Sequence, residues 1–277
     1  MYRNCRKYVI STQSSELELL LISAILVLAL GVFSGCTEEV GSPCDPKPEG
    51  AYDDWLTYRY ENFVILYPPK HPNESGLESI GTNYINCIDR VVTDLRMSPL
   101  TDCILFVYYT GYGSGREMTG RQYPFATDTA IHFWLPSFPG PVLMQYLLPL
   151  WVPGEPHYRF LKHGLISLYD FSGQAYHEFT VGYINKDRFI KLADLAADTT
   201  VNSNTERHQS AEAASFCAFV MGQFGADTLK ALYQSSEPFD QAVPALFGMS
   251  VEALENYWLR YVRASVPADS IVDSLWD

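Results

Sequence analysis

Positive charge is scarce in this chain. Of 277 residues, 19 are Lys or Arg against 32 Asp or Glu, a formal net charge of −13. Nowhere do Lys and Arg gather into a patch. The electrostatic footprint of a nucleic-acid binder is therefore missing, and adhesion to anionic lipid through a basic face is excluded on the same ground. Charged residues make up 18% of the chain and apolar ones 47%, which excludes a disordered polymer. Six cysteines in this length are too few for a disulfide scaffold. Beyond residue 33 no apolar run reaches spanning length; residues 142–152 are apolar, but they are short of a span and interrupted by Pro149. GxGxxG, Walker and GxSxG patterns are all missing, and with them the signatures of dinucleotide sites, phosphate loops and hydrolase nucleophile elbows. There is no internal repeat.

What is present begins with an address. Arg3, Arg6 and Lys7 precede an apolar run over residues 19–33 that is broken only by Ser23 and Gly31. The run has the length of a signal-peptide core rather than a membrane span. It ends in Phe33-Ser34-Gly35-Cys36, which resembles a bacterial or archaeal lipoprotein signal. Residues 1–35 are then a signal peptide, Cys36 is the lipidated residue, and acyl chains anchor the protein to the membrane. Residues 36–50 are polar, contain Pro43, Pro46 and Pro48, and read as a tether. The body, residues 51–265, lies on the outer face of the membrane or in the cell envelope, and residues 266–277 form a tail. Cys44, Cys87, Cys103 and Cys217 remain in an oxidising compartment without a spacing that dictates pairing. Cys87 and Cys217 sit in apolar helical patterns, which suit buried thiols. Asn73-Glu74-Ser75 matches a glycosylation sequon, a short and frequent pattern.

Within the body, strands precede helices. Aromatic and β-branched residues predict a strand over 55–68, stopped by Pro68-Pro69. Ser75 and Glu78 have capping-box spacing, and Leu77, Ile80, Tyr84, Ile88, Val91 and Leu95 follow at helical intervals. Residues 103–109 and 129–135 read as further strands. Between them, Gly111, Gly113, Gly115 and Gly120 predict a flexible surface loop. Helices are expected over 141–150, 158–171, 187–197, 211–224, 227–234 (capped by Asp227), 239–247 and 251–264 (capped by Ser250). The order implies an α+β fold.

Certain phrases, taken in order, point further. They are Asn62-Phe63-Val64-Ile65-Leu66-Tyr67, the strand over 129–134, the helix beginning Ala213-Ala214-Ser215-Phe216, then Gln223-Phe224-Gly225, Phe239-Asp240-Gln241-Ala242 and Phe247-Gly248-Met249-Ser250. Together they resemble the gluzincin metallopeptidases, specifically the small peptidase MA-like domains. The resemblance implies a zincin-like fold in which residues 129–134 form an edge strand. It also implies a helix bearing HExxH and a second helix that supplies a ligand Glu. Two His one turn apart would hold zinc, and the Glu beside the first would polarise a bound water.

The metal positions have all changed. Gln145-Tyr146-Leu147-Leu148-Pro149 stands in place of HExxH, and His163 replaces the third-ligand Glu. Pro149 offers no side-chain donor, and a phenol such as Tyr146, with an ordinary pKa of about 10, is no general base near neutrality. No zinc or other cofactor is expected. His177-Glu178 begins another HExxH, but no second His follows. The aromatics around the former cleft suggest a groove binding peptide or glycan, with Thr129, Ile131, Phe133, Trp134, Tyr146, His163 and Tyr169 as candidates. The reading is a non-catalytic, peptidase-like lipoprotein serving as a binding or scaffold module. A metallohydrolase with a rearranged site and a structural envelope lipoprotein are the competing readings.

Overall fold

The structure is a computed structural model that describes residues 52–60, 62–135, 139–197 and 206–266. The signal peptide, Cys36, the tether and the tail from residue 267 onward lie outside these residues. Among the described residues, no helix is long and apolar enough to cross a membrane.

The architecture is α+β: a five-stranded mixed sheet comes first and helices dominate thereafter. The predicted strand over 55–68 is two strands, β1 (Leu56–Tyr60) and β2 (Phe63–Tyr67), paired antiparallel with Tyr60 opposite Phe63. The chain thus reverses between Tyr60 and Phe63, which the continuous aromatic run conceals. α1 (Leu77–Asp94) crosses over to β3 (Ile104–Tyr108), which lies parallel to β2. The Ser75–Glu78 capping box does not form. A 3₁₀ turn over Glu74–Gly76 leads into α1, and Gly76 occupies the N-cap without a side-chain bond.

The glycine-rich segment is a helix, α2 (Tyr112–Thr119), closed by Gly120 in the left-handed region. Gly115 is needed there because the Trp134 ring fills the space of a side chain; a Cβ would lie 2.4 Å from it. The short β4 (Phe125–Ala126) then turns through Thr127 into β5 (Ala130–Phe133). Thr127 Oγ1 accepts from the Ala130 amide at 3.0 Å. The sheet order is β1-β2-β3-β5-β4, with β5 parallel to β3. The edge strand is therefore β4, not residues 129–134: Phe125 pairs with His132 and Ala126 with Ile131.

Side chains alternate across the sheet with the period of two that strands impose. Phe63, Ile65, Ile104, Phe106, Ile131 and Phe133 enter the main core with the helices. Val64, Leu66, Leu105, Val107, Ala130 and Trp134 form a second cluster around Trp55 and Tyr109 on the other face.

The helical part comprises α3 (Pro139–Trp151), α4 (Arg159–Leu168), α5 (Tyr176–Asn185), α6 (Leu192–Ala197), α7 (Glu206–Phe224), α8 (Ala226–Gln234), α9 (Phe239–Phe247) and α10 (Val251–Ser265). α5 falls where no helix is predicted. Its Thr180, Val181 and Gly182 are weak helix formers, and its buried residues are few: Tyr176, Thr180 and Val181. α7 is the central helix. Its residues 211–217 are buried on every face, and small side chains let neighbours close on it. Gly164 of α4 packs so near that a Cβ would meet the Ala213 carbonyl oxygen at 2.6 Å. Gly225 (φ 88°) ends α7 and also caps α8, so Asp227 lies in the first turn, where it pairs with Arg96 at 2.7 Å. Ser250 caps α10 as its sequence implies, accepting from the Ala253 amide at 3.2 Å.

Candidate ligand site

The residues singled out from sequence fall in three environments. Ile131, Phe133, Trp134 and Tyr169 are packed inside and offer a ligand no open face. Phe133 stacks on Tyr108 at 4.4 Å, and Tyr169 donates a hydrogen bond to Asp94 at 3.3 Å. Thr129, Gln145, Pro149 and His163 are exposed. Tyr146 lines a shallow polar cavity of about 360 Å³ with Asp102, Asp128, Trp151 and Lys230, which neither Gln145 nor His163 lines. Burial, and secondarily Asp102, holds its phenol above the ordinary tyrosine value.

This donor set does not suit zinc. It comprises one imidazole, one amide, one phenol made less acidic by its setting, and a proline, whereas zinc takes four ligands of good donor character. Among the described residues, no group of three or more His, Cys, Asp or Glu is placed to hold a metal ion.

Other polar groups do converge, around α5. The turn before it is built on Asp170. One carboxylate oxygen accepts from the Ser172 amide at 2.8 Å and hydroxyl at 2.7 Å; the other accepts from the Tyr176 hydroxyl at 2.5 Å. Phe171 and Gly173 take the left-handed φ angles, 56° and 78°, that this reversal needs. Between the turn and the exposed side of α5 lies a cavity of about 380 Å³, lined by Gln174, Glu178, Phe179, Tyr183, Lys186 and Arg188 among others. Two smaller hollows adjoin it and share Gln174.

Behind α5 two buried polar clusters fasten the wall of this cavity to α7. In the first, Trp258 Nε1 donates to Ser215 Oγ at 3.2 Å, and Ser215 Oγ and His177 Nδ1 share a hydrogen bond at 2.8 Å. Burial pulls the His177 pKa below its ordinary value. Serine beside histidine is the arrangement of a nucleophile and its base. Ser215, however, is wholly buried, so this pair is internal glue.

In the second cluster, His208 Nε2 donates to the fully buried Glu212 carboxylate at 3.0 Å, and the Tyr183 ring lies on His208 with centroids 3.7 Å apart. Glu212 also accepts from the Ile190 amide at 3.1 Å, while Glu255 of α10 accepts from the Leu192 amide at 2.5 Å. Burial raises the Glu212 carboxyl pKa, opposed by His208 and the Ile190 amide. The segment after α5 is thus held by two carboxylates. Sequence reading missed this because the bonds that tie the helices together join residues 22 to 63 apart, although His208 and Glu212 themselves lie one turn apart on α7. The available signal was a buried Glu and Ser in an otherwise small and apolar helix, groups that must find partners.

A third network spans the sheet's outer face. His71 Nδ1 accepts from the Asn73 amide at 3.1 Å, so Nε2 carries the proton and donates to the Tyr109 carbonyl at 3.1 Å. The Tyr109 hydroxyl joins Tyr52 and His132, each at 2.9 Å. The His132 ring stacks on Phe125 at 4.5 Å, and burial pulls its pKa down to about 4. Asn73 spends its side-chain amide on the Tyr108 hydroxyl at 3.0 Å, so the sequon nitrogen is engaged in the fold. Cys87 and Cys217 are free and buried, and Cys103 is disulfide-bonded.

No family model, no curated protein and no solved structure matches this chain.

Proposed function

We propose that this protein is a non-catalytic binding module with a zincin-like, peptidase MA-like body, held on the outer face of a cell membrane by a lipidated Cys36. The carrying observation is the donor set at the positions where the resemblance would put zinc chemistry. Gln145, Tyr146, Pro149 and His163 do not make a zinc-binding set, and Tyr146, which stands at the general-base position, is a phenol held above its ordinary pKa. The disulfide at Cys103 agrees with an oxidising compartment. Cys87 and Cys217, both free and buried, need no such compartment and do not oppose it. The ligand-binding part of this reading rests on the cavity beside α5, whose size lies in the range of small-molecule sites.

Elemental analysis of the full-length protein tests it, after purification without chelator, loading with excess zinc and dialysis. Metal at background is expected. Near-stoichiometric zinc that His163→Ala removes would overturn the reading and favour a metallohydrolase.

A further inference from the structure

The cavity beside α5 has a polarity of its own. Phe179 and Tyr183 are four residues apart, so both present to one side of the helix. Gly182 lies between them, and nothing comes within 4 Å of where its Cβ would be. The helix backbone is therefore open to close approach along an aromatic strip. At the C-terminal end Asp187 takes a left-handed φ of 54°, and the Arg188 amide donates to the Tyr183 carbonyl at 2.9 Å. That reversal puts Arg188 on the cavity rim beside Lys186. The partial negative charge at the C-terminal end of a helix holds these cations but does not itself favour an anion, so a ligand carboxylate there depends on their side chains. Glu178 lies at the opposite end, eight residues before Lys186, about 12 Å along the helix.

We propose that this cavity binds a small organic monoanion: a carboxylate at the Arg188 and Lys186 end, with an aromatic or extended apolar body lying over Gly182 between Phe179 and Tyr183. A planar guanidinium matches a carboxylate in two parallel hydrogen bonds. The chain as a whole carries −13, so long-range attraction does not draw anions in; recognition must be local, where two cations meet apolar surface. Glu178 sets the other limit: a second carboxylate at the far end meets its charge, so dianions are rejected. The volume of about 380 Å³ admits one such molecule.

This assignment deepens the binding-module reading and rests on it. The two fail separately, because zinc content decides one and ligand titration the other. The test is calorimetric titration of the full-length protein in non-ionic detergent, with micelles alone as the blank. The probes are 3-phenylpropionate, its uncharged amide and 3-(4-carboxyphenyl)propionate, a dianion whose second carboxylate lies at the far end of the ring. The carboxylate should bind with a Kd near or below ~1 mM, and the amide and the dianion at least ~10-fold more weakly. Arg188→Gln should weaken the monoanion to the level of the amide. Gly182→Leu should abolish binding, with circular dichroism and Tm reporting that the fold is kept. No heat with 3-phenylpropionate up to ~10 mM, equal affinity for acid and amide, or an unaffected Arg188→Gln variant would each overturn the assignment.

Discussion

Gly140, in the first turn of α3, lies against the carbonyl oxygen of Tyr169 at the end of α4; a Cβ built on it would stand 1.9 Å from that oxygen. The obstacle is backbone, which cannot rotate aside as a side chain can. Gly140→Ala must therefore push α3 away from α4. Overpacking of this kind costs about 1–3 kcal/mol or more, and in a domain of this size each kcal/mol is about 2–4 °C of Tm. A thermal melt should show that drop. Gly182→Ala, placed where there is open space, should leave Tm unchanged or slightly raised.

The pair of His208 and Glu212 should behave as a buried hydrogen-bonded pair. His208→Ala strands a fully buried carboxylate, and breaking such a pair costs about 3 kcal/mol. Burial holds the Glu212 carboxyl above its ordinary value of 4.5, so its ionised form is the costly one. That cost is absent while the group is protonated and grows as pH rises above 4.5. The deficit of His208→Ala in urea melts should therefore be larger near neutrality than near pH 4.5. A pH-independent deficit would show that only packing was lost.

His132 ties stability to acidity in the opposite direction. Unfolded, it takes up a proton near 6.5; folded, it resists until about 4. Between those values the unfolded chain binds more protons, so stability falls as pH drops from 6.5 to 4 and levels off below. Replacing the ring, as in His132→Gln, should flatten the urea midpoint against pH across that window. His177, also shifted down by burial, should preserve part of the slope.

Thiol chemistry should separate the cysteines. Burial pushes the Cys87 thiol up to about 11 and the Cys217 thiol higher still. Only thiolates react readily. Neither should be labelled by a maleimide at neutral pH in the native state, and both should be after unfolding in urea. Peptide mapping without reductant should find Cys103 protected throughout, since it is disulfide-bonded. Rapid native labelling of Cys217 would contradict its place in the core.

Much of the scaffold is written in local pattern. The spacing of Leu77, Tyr84, Ile88 and Val91 marks α1, and the burial of those four side chains explains why. Ser250 caps α10, and Gly225 and Gly248 end α7 and α9 in left-handed conformations, because those roles depend on neighbours within a turn. The strands β3 and β5 are legible as apolar runs. Where the deciding contact is distant, local pattern misleads. The glycines of residues 111–120 read as a loop, yet Gly115 serves a helix that Trp134 lies against. Residues 129–134 read as an edge, yet β4 pairs outside them.

By itself, the sequence determined the α+β class, with strands first and helices afterwards, and the burial of the Cys87 and Cys217 thiols. Each of these depends on residue type or on periods of two and 3.6 along the chain. Tertiary structure alone decided which polar groups meet. Ser215 finds His177 and Trp258, and Glu212 finds the Ile190 amide, because a helix buried on all sides must satisfy its polar side chains with whatever packs against it. Those same bonds fasten α5 and the turn after it to the core, and so bring Glu178, Phe179, Tyr183 and Arg188 around one cavity. No period in the sequence encodes that meeting, since it is set by the packing of α5 and α10 on α7.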